Sequence, residues 1–218
     1  MKRLATALGI VFAFALTGAA PADAQLWFFP NYSSPSGYGA AETYVAATYG
    51  RGLNETSGQL NAFGAAVSRT GVGGRATLSI GAGFVDDLVT NELTLGGSVA
   101  VDVLPETTAT RLSIQAGMGW IAPDLGGESL TSLTFPIGVA VSQTFQSGSN
   151  SIRPWIMPRL NVTRVSYAGE SDSAVDMGAS AGVSFTTTSG FGFHAALDLL
   201  AADNSLWQGG AGIHYMIR

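Results

Sequence analysis

The chain has no cysteine, which excludes a disulfide framework and any thiolate metal site. It has one lysine, Lys2, and only two histidines, His194 and His214. Charged residues make up 11% of the 218, against roughly 25% in an ordinary soluble domain. Setting aside Lys2, Arg3 and Asp23 leaves 8 basic and 14 acidic residues, a net charge of −6. Such a chain cannot assemble the basic face that nucleic acid requires. Long apolar runs are also lacking beyond the N-terminus, so there is no helical span. Contact with a membrane, if there is any, must come from strands.

The one apolar run, Leu4 to Leu16, follows Lys2 and Arg3 and precedes Ala22-Asp23-Ala24. It is short for a transmembrane helix. A positive start, a short apolar stretch and small residues at the peptidase positions predict a signal peptide over 1–24, cleaved before Gln25. Residues 25–41 hold Trp27, Phe28 and Phe29 among Pro, Ser and Gly, without a period. They read as an N-terminal segment on the periplasmic side. The third region, 42–218, is the barrel argued below.

What is present from there on is alternation. Turn-rich stretches separate runs at 43–51, 59–69, 74–85, 91–103, 109–121, 131–146, 152–166, 173–187, 190–201 and 205–217. Each is long enough to cross an outer membrane as a tilted strand. Leu93, Leu95, Val99 and Val101 oppose Glu92, Thr94, Ser98 and Asp102; Leu112, Ile114, Ala116, Met118 and Trp120 oppose Arg111, Ser113, Gln115, Gly117 and Gly119. The first two runs do not declare a face. The polar faces are Gly, Ser and Thr rather than Lys and Glu, which suits a narrow lumen better than a solvated exterior. Short turns predict an antiparallel meander, and closing it removes the edges that hydrocarbon does not tolerate.

If odd runs rise from the periplasm, the apolar-face aromatics form two belts. Tyr49, Phe84, Trp120, Phe135 and Trp207 fall at the outer end; Phe145, Phe185, Phe191 and Tyr215 fall at the inner end. The resulting expectation is an all-β, closed antiparallel up-and-down transmembrane β-barrel of ten strands, with eight as the alternative count. Pro154 and Pro158 interrupt the seventh run and Pro136 the sixth. Proline inside a sheet sits at an end or a bulge, so a bulge is expected at Pro158.

With these features and the opening run Tyr44-Val45-Ala46-Ala47-Thr48-Tyr49-Gly50, the chain resembles the small monomeric outer-membrane β-barrels, including the transmembrane domain of the outer-membrane protein A family. The resemblance spans about 42–218 and is architectural. It implies a monomer in the bacterial outer membrane, exported through the periplasm, in contact with lipid and lipopolysaccharide and folded by the outer-membrane assembly machinery. Many such barrels end on an aromatic residue that this machinery reads, whereas this chain ends Tyr215-Met216-Ile217-Arg218. No peptidoglycan-binding domain is expected after the barrel.

The chemistry-bearing residues fall on the lumen parity. His194 and His214 share it with Asp198 on neighbouring runs, and a turn near Asp203-Asn204 sets the histidines almost opposite each other. They read as imidazoles hydrogen-bonded in a polar lumen, with a metal site or a proton-sensitive pair as the alternative. Glu42, Glu92, Asp102, Asp176, Arg75, Arg111, Arg153 and Arg159 join them as near-balanced charges. In a narrow interior such charges pair, either as a rigid plug or as a constriction that selects solutes.

No catalytic, cofactor or metal set is indicated. Lipid-modifying chemistry needs a Ser–His couple aimed at the lipid or the outer rim, and both histidines point inward. An omptin-like protease would want His beside Asp86-Asp87. Acidic residues in the outer loops, Glu55, Asp86, Asp87, Asp124, Glu128, Glu170, Asp172 and Asp203, could bind divalent cations. The leading expectation is a structural or weak passive-pore barrel. The alternatives are a surface-binding barrel whose loops take cations or a ligand, and a soluble periplasmic barrel carrying an apolar ligand.

Overall fold

The computed structural model describes residues 42–53, 60–71, 74–85, 88–104, 109–122, 124–125, 128–201 and 205–217. The expected signal peptide and the 25–41 segment lie outside them, as do Glu55, Asp86, Asp87 and Asp203. The side chains of residues 60, 77–85, 88–92, 124–125 and 128–129 are likewise outside, among them Phe84, Glu92, Asp124 and Glu128.

Every described element is a strand: β1 Thr43–Gly52, β2 Leu60–Gly71, β3 Gly74–Val85, β4 Leu88–Asp102, β5 Thr110–Ile121, β6 Glu128–Gln143, β7 Asn150–Tyr167, β8 Glu170–Thr186, β9 Phe191–Ala201 and β10 Leu206–Ile217. β6 resumes after Thr144 as Phe145–Ser147, which pairs with the start of β7. In the β5–β6 connection, Asp124 and Leu125 pair with Ser129 and Glu128. Each strand pairs antiparallel with the next, and β1 pairs with β10 from Thr43↔Ile217 to Gly52↔Gln208. The sheet is a closed ten-stranded meander, as the alternation predicts.

Closure sorts the side chains. Leu93, Leu95, Val99 and Val101 of β4, and Ile114 and Met118 of β5, are exposed on the outside, while Thr94, Arg111 and Ser113 are buried inside. The inversion is extreme: Val101 and Met177 are 59% exposed, Ser113 not at all. The undecided first strands resolve the same way. Tyr44, Ala46 and Thr48 of β1 and Ala66, Ser68 and Thr70 of β2 face inward, and Tyr49, Phe63 and Val67 face outward. Alanines on both faces hid this from the sequence.

Outward aromatics gather at the two rims. At the upper rim, where β1 turns to β2, Tyr49 is the register partner of Phe63, with ring centroids 4.8 Å apart. At the lower rim, where the β1–β10 seam begins, Phe145 is opposite Ile152, Ile152 opposite Phe185, and Phe185 opposite Phe193. Phe191 faces Tyr215 on the next pair. Phe63 and Phe193 are additions to the belts read from the sequence.

The expected bulge at Pro158 is absent. Pro158 pairs with Ala179 in an unbroken β7–β8 register. On the β6 side the ladder omits two pairs, between Gly138↔Arg159 and Val141↔Ile156, and keeps its register. Proline has no N–H to give, so the missing bonds are absorbed toward β6 without an inserted residue. Pro136 acts alike: the β5–β6 ladder lapses between Ala116↔Ile137 and Gly119↔Thr134. The one register shift among the described strands falls instead between Phe84 and Val85, at the upper end of β3 and β4.

Two hairpins close tightly. Ala168 and Gly169 between β7 and β8 both have positive φ, 49° and 83°, the type I′ geometry that matches strand twist. Gly148, φ 63°, takes the first central position before β7, where glycine is favoured in a type II′ turn.

Candidate functional site

The interior is a stack of polar side chains laid on glycines. Its best-defined part is the histidine pair. His194 of β9 is in register with Gly212 of β10, which is in register with Thr48 of β1. His194 therefore lies across Gly212, and its Nε2 meets Thr48 Oγ1 at 2.9 Å. His214 of β10 repeats this in the opposite direction. It is in register with Gly192 of β9, which faces Thr186 of β8, and its Nε2 meets Thr186 Oγ1 at 2.9 Å. A Cβ at Gly192 would come 2.2 Å from His214 Nε2, and one at Gly212 would come 2.6 Å from His194 Nε2. The repeated Gly-x-His, Gly192-Phe193-His194 and Gly212-Ile213-His214, is thus a packing motif. Antiparallel pairing sets each histidine beside the other strand's glycine.

The histidines are diagonal neighbours rather than directly opposite, and they touch. Nδ1 to Nδ1 is 3.3 Å, with centroids 5.6 Å apart and planes within 20° of parallel. The rings meet nitrogen to nitrogen. Tyr44 stacks on His214 at 4.8 Å, and the Arg75 guanidinium lies 5.0 Å from the Tyr44 ring centroid and donates to Ser68 Oγ at 2.7 Å.

Asp198 does not join the histidines. Arg159 grips its carboxylate with two guanidinium nitrogens, at 2.5 and 2.7 Å, and Ser180 also donates to it. Arg159 Nε donates to Asn161 Oδ1 at 3.0 Å. On the other wall Arg111 pairs with Asp102 at 3.1 Å. Arg153 is buried and donates through Nε to Thr144 Oγ1 at 3.0 Å. Glu92 lies on β4 opposite Gly83, with its side chain outside the described set. The interior thus holds separate clusters: the histidine pair with Tyr44 and Arg75, the Arg159–Asp198 fork, and the Arg111–Asp102 pair. Trp155, buried against Ala196 and Met157, is an interior aromatic that the belt pattern does not reveal. Its inward parity between Arg153 and Met157 is the available signal.

The ring nitrogens of the histidine pair are already spent. All four histidine nitrogens are engaged, by two threonine hydroxyls and by each other. Among the described residues no three His, Asp or Glu gather as a metal would need.

No family model matches the chain, and no curated protein matches it. Among solved structures it is similar to the N-terminal β-barrel domain of OprF from Pseudomonas aeruginosa, at 12% identity over 82% of this chain and 98% of that one, TM-score 0.40. It is also similar to Ail, the attachment invasion locus protein of Yersinia pestis, at 11% identity over 82% and 99%, TM-score 0.39. A third is the outer membrane protease OmpT of Escherichia coli, at 8% identity over 90% and 100%, TM-score 0.42. The architecture rests on the strand register and the two faces of the wall rather than on these likenesses: it is that of a small outer-membrane β-barrel.

Proposed function

We propose that the protein is a non-catalytic integral barrel of the bacterial outer membrane whose role is structural, with a lumen that passes small solutes poorly. The observation that carries this reading is the filled interior. Arg75, Arg153, Trp155, Asp198 and both histidines are buried inside a wall whose outer side chains are apolar and exposed. Burying paired charges while exposing valine, leucine and phenylalanine is unfavourable in water and favourable in hydrocarbon.

The dimensions agree. The outward apolar run on β7 extends from Ile152 to Val162, and that on β8 from Val175 to Phe185. Ten residue steps rise about 33 Å along a strand. At a tilt of about 40° this spans about 25 Å, the height of an outer-membrane barrel's apolar band. The charged side chains described on the outer wall are Arg51, Arg69 and Arg164, cations that suit the phosphates of anionic lipid and lipopolysaccharide. A carrier of apolar ligands would need an apolar interior, which this lining does not offer.

Planar-bilayer recording of the refolded barrel tests the reading. The expected result is a quiet membrane or rare small steps. Regular open-channel steps of a defined size would instead make it a pore.

A further inference from the structure

We infer that His194 and His214 form a shared-proton couple that ties the closing seam of the barrel from within and that acid opens. The couple lies at the seam. His194 crosses β10 to bond Thr48 of β1, and β1–β10 is the pairing that closes the sheet. His214 crosses β9 to bond Thr186 of β8. Thr48, His194, His214 and Thr186 therefore form one hydrogen-bonded chain across β1, β10, β9 and β8.

Proton counting limits what this chain can hold. The Nδ1–Nδ1 contact needs one N–H and one lone pair. Two neutral rings supply them, in either of two tautomer pairs. A couple with one added proton also supplies them, because both Nε2–H groups then donate to threonine oxygens. Two imidazolium rings present N–H to N–H, with no lone pair between them. The folded site thus holds at most three ring protons, where the unfolded chain's independent histidines hold four in acid.

No carboxylate offsets a second charge through a described contact with either ring. Arg75 of β3 and Tyr44 of β1 face His214, and Asp198 on β9 is held by Arg159 of β7 and Ser180 of β8. Glu42, just before β1, is tied through its backbone N–H to Thr70 Oγ1 of β2. His214's own strand contributes Met216 and Gln208, which carry no charge.

Linkage gives the sign. Where the unfolded state binds more protons, stability falls as pH falls. Below the ordinary imidazole range, near 6.5, the couple should raise the unfolding equilibrium constant at least tenfold per pH unit. The test is reversible unfolding of the refolded barrel in a zwitterionic detergent from pH 7.5 to 4, for wild type and His194→Gln/His214→Gln. Glutamine keeps hydrogen-bonding capacity without the titration, and the carboxylates are common to both proteins. The expected result is a wild-type slope steeper by one proton or more. Equal slopes would overturn the proposal. Should the double variant not fold, ¹⁵N-histidine NMR of the wild type decides. A scalar coupling between the two Nδ1 nuclei at neutral pH, lost together with the seam's hydrogen-exchange protection in acid, supports the couple. Two uncoupled rings that each take up a proton while the seam stays protected refute it.

Discussion

Arg159 and Asp198 show what a single buried pair does in this interior. Both side chains are nearly inaccessible, at 9% and 2%, and the forked geometry meets both carboxylate oxygens. Removing one partner leaves a buried charge without its counter-ion, which typically costs about 3–5 kcal/mol. Arg159→Met and Asp198→Leu should each lower the unfolding free energy in detergent by that order. The double variant Arg159→Met/Asp198→Leu should recover a substantial part, because it removes both desolvated charges. An additive loss in the double variant would show that the two side chains act separately. The lumen parity of both residues was legible in the sequence. Their partnership was not, since 39 positions separate them, whereas Asp198 is much nearer to His194 in the chain.

The strand is where the pattern speaks most clearly. Ile114 sits mid-strand on β5 with its side chain outward, and Ala181 does the same on β8. Arginine at either should cost on the order of 2–4 kcal/mol of bilayer folding. Folding yield into lipid vesicles is the measurement, and unchanged folding of Ile114→Arg would contradict a lipid-facing position. The turn between β7 and β8 offers a change of opposite sign. Ala168 holds φ 49°, in a region that disfavours a Cβ, and nothing else described at this turn requires alanine. Ala168→Gly should raise the unfolding free energy by up to about 1 kcal/mol, read as a higher unfolding midpoint. The same scale holds the main misreading. Pro158 suggested an inserted residue, yet each strand has two neighbours, and a gap in one ladder is tolerated while the other keeps the register.

At the scale of the whole molecule, the prediction concerns which rim faces out. If the odd strands rise from the periplasm, the β7–β8 hairpin lies outside and the β6–β7 hairpin inside. Cysteines at Asp86 or Asp172 should react with an impermeant thiol reagent on intact cells, and cysteines at Gly73 or Ser149 should not. Labelling of the second set alone would reverse the barrel. The sequence by itself determined the all-β class, ten strands to within a few residues, and the face of most of them. Period-two alternation and scarce long polar side chains survive without any tertiary contact. It also placed Arg75, Arg111, Arg153 and Arg159 on the lumen parity, because parity is a local property. Only the tertiary structure decided the partners. Which charge meets which, why Gly192 and Gly212 must lack a side chain, and how four strands are stitched by two imidazoles all depend on register and closure. Those are set by the whole sheet at once, so no single strand carries the information.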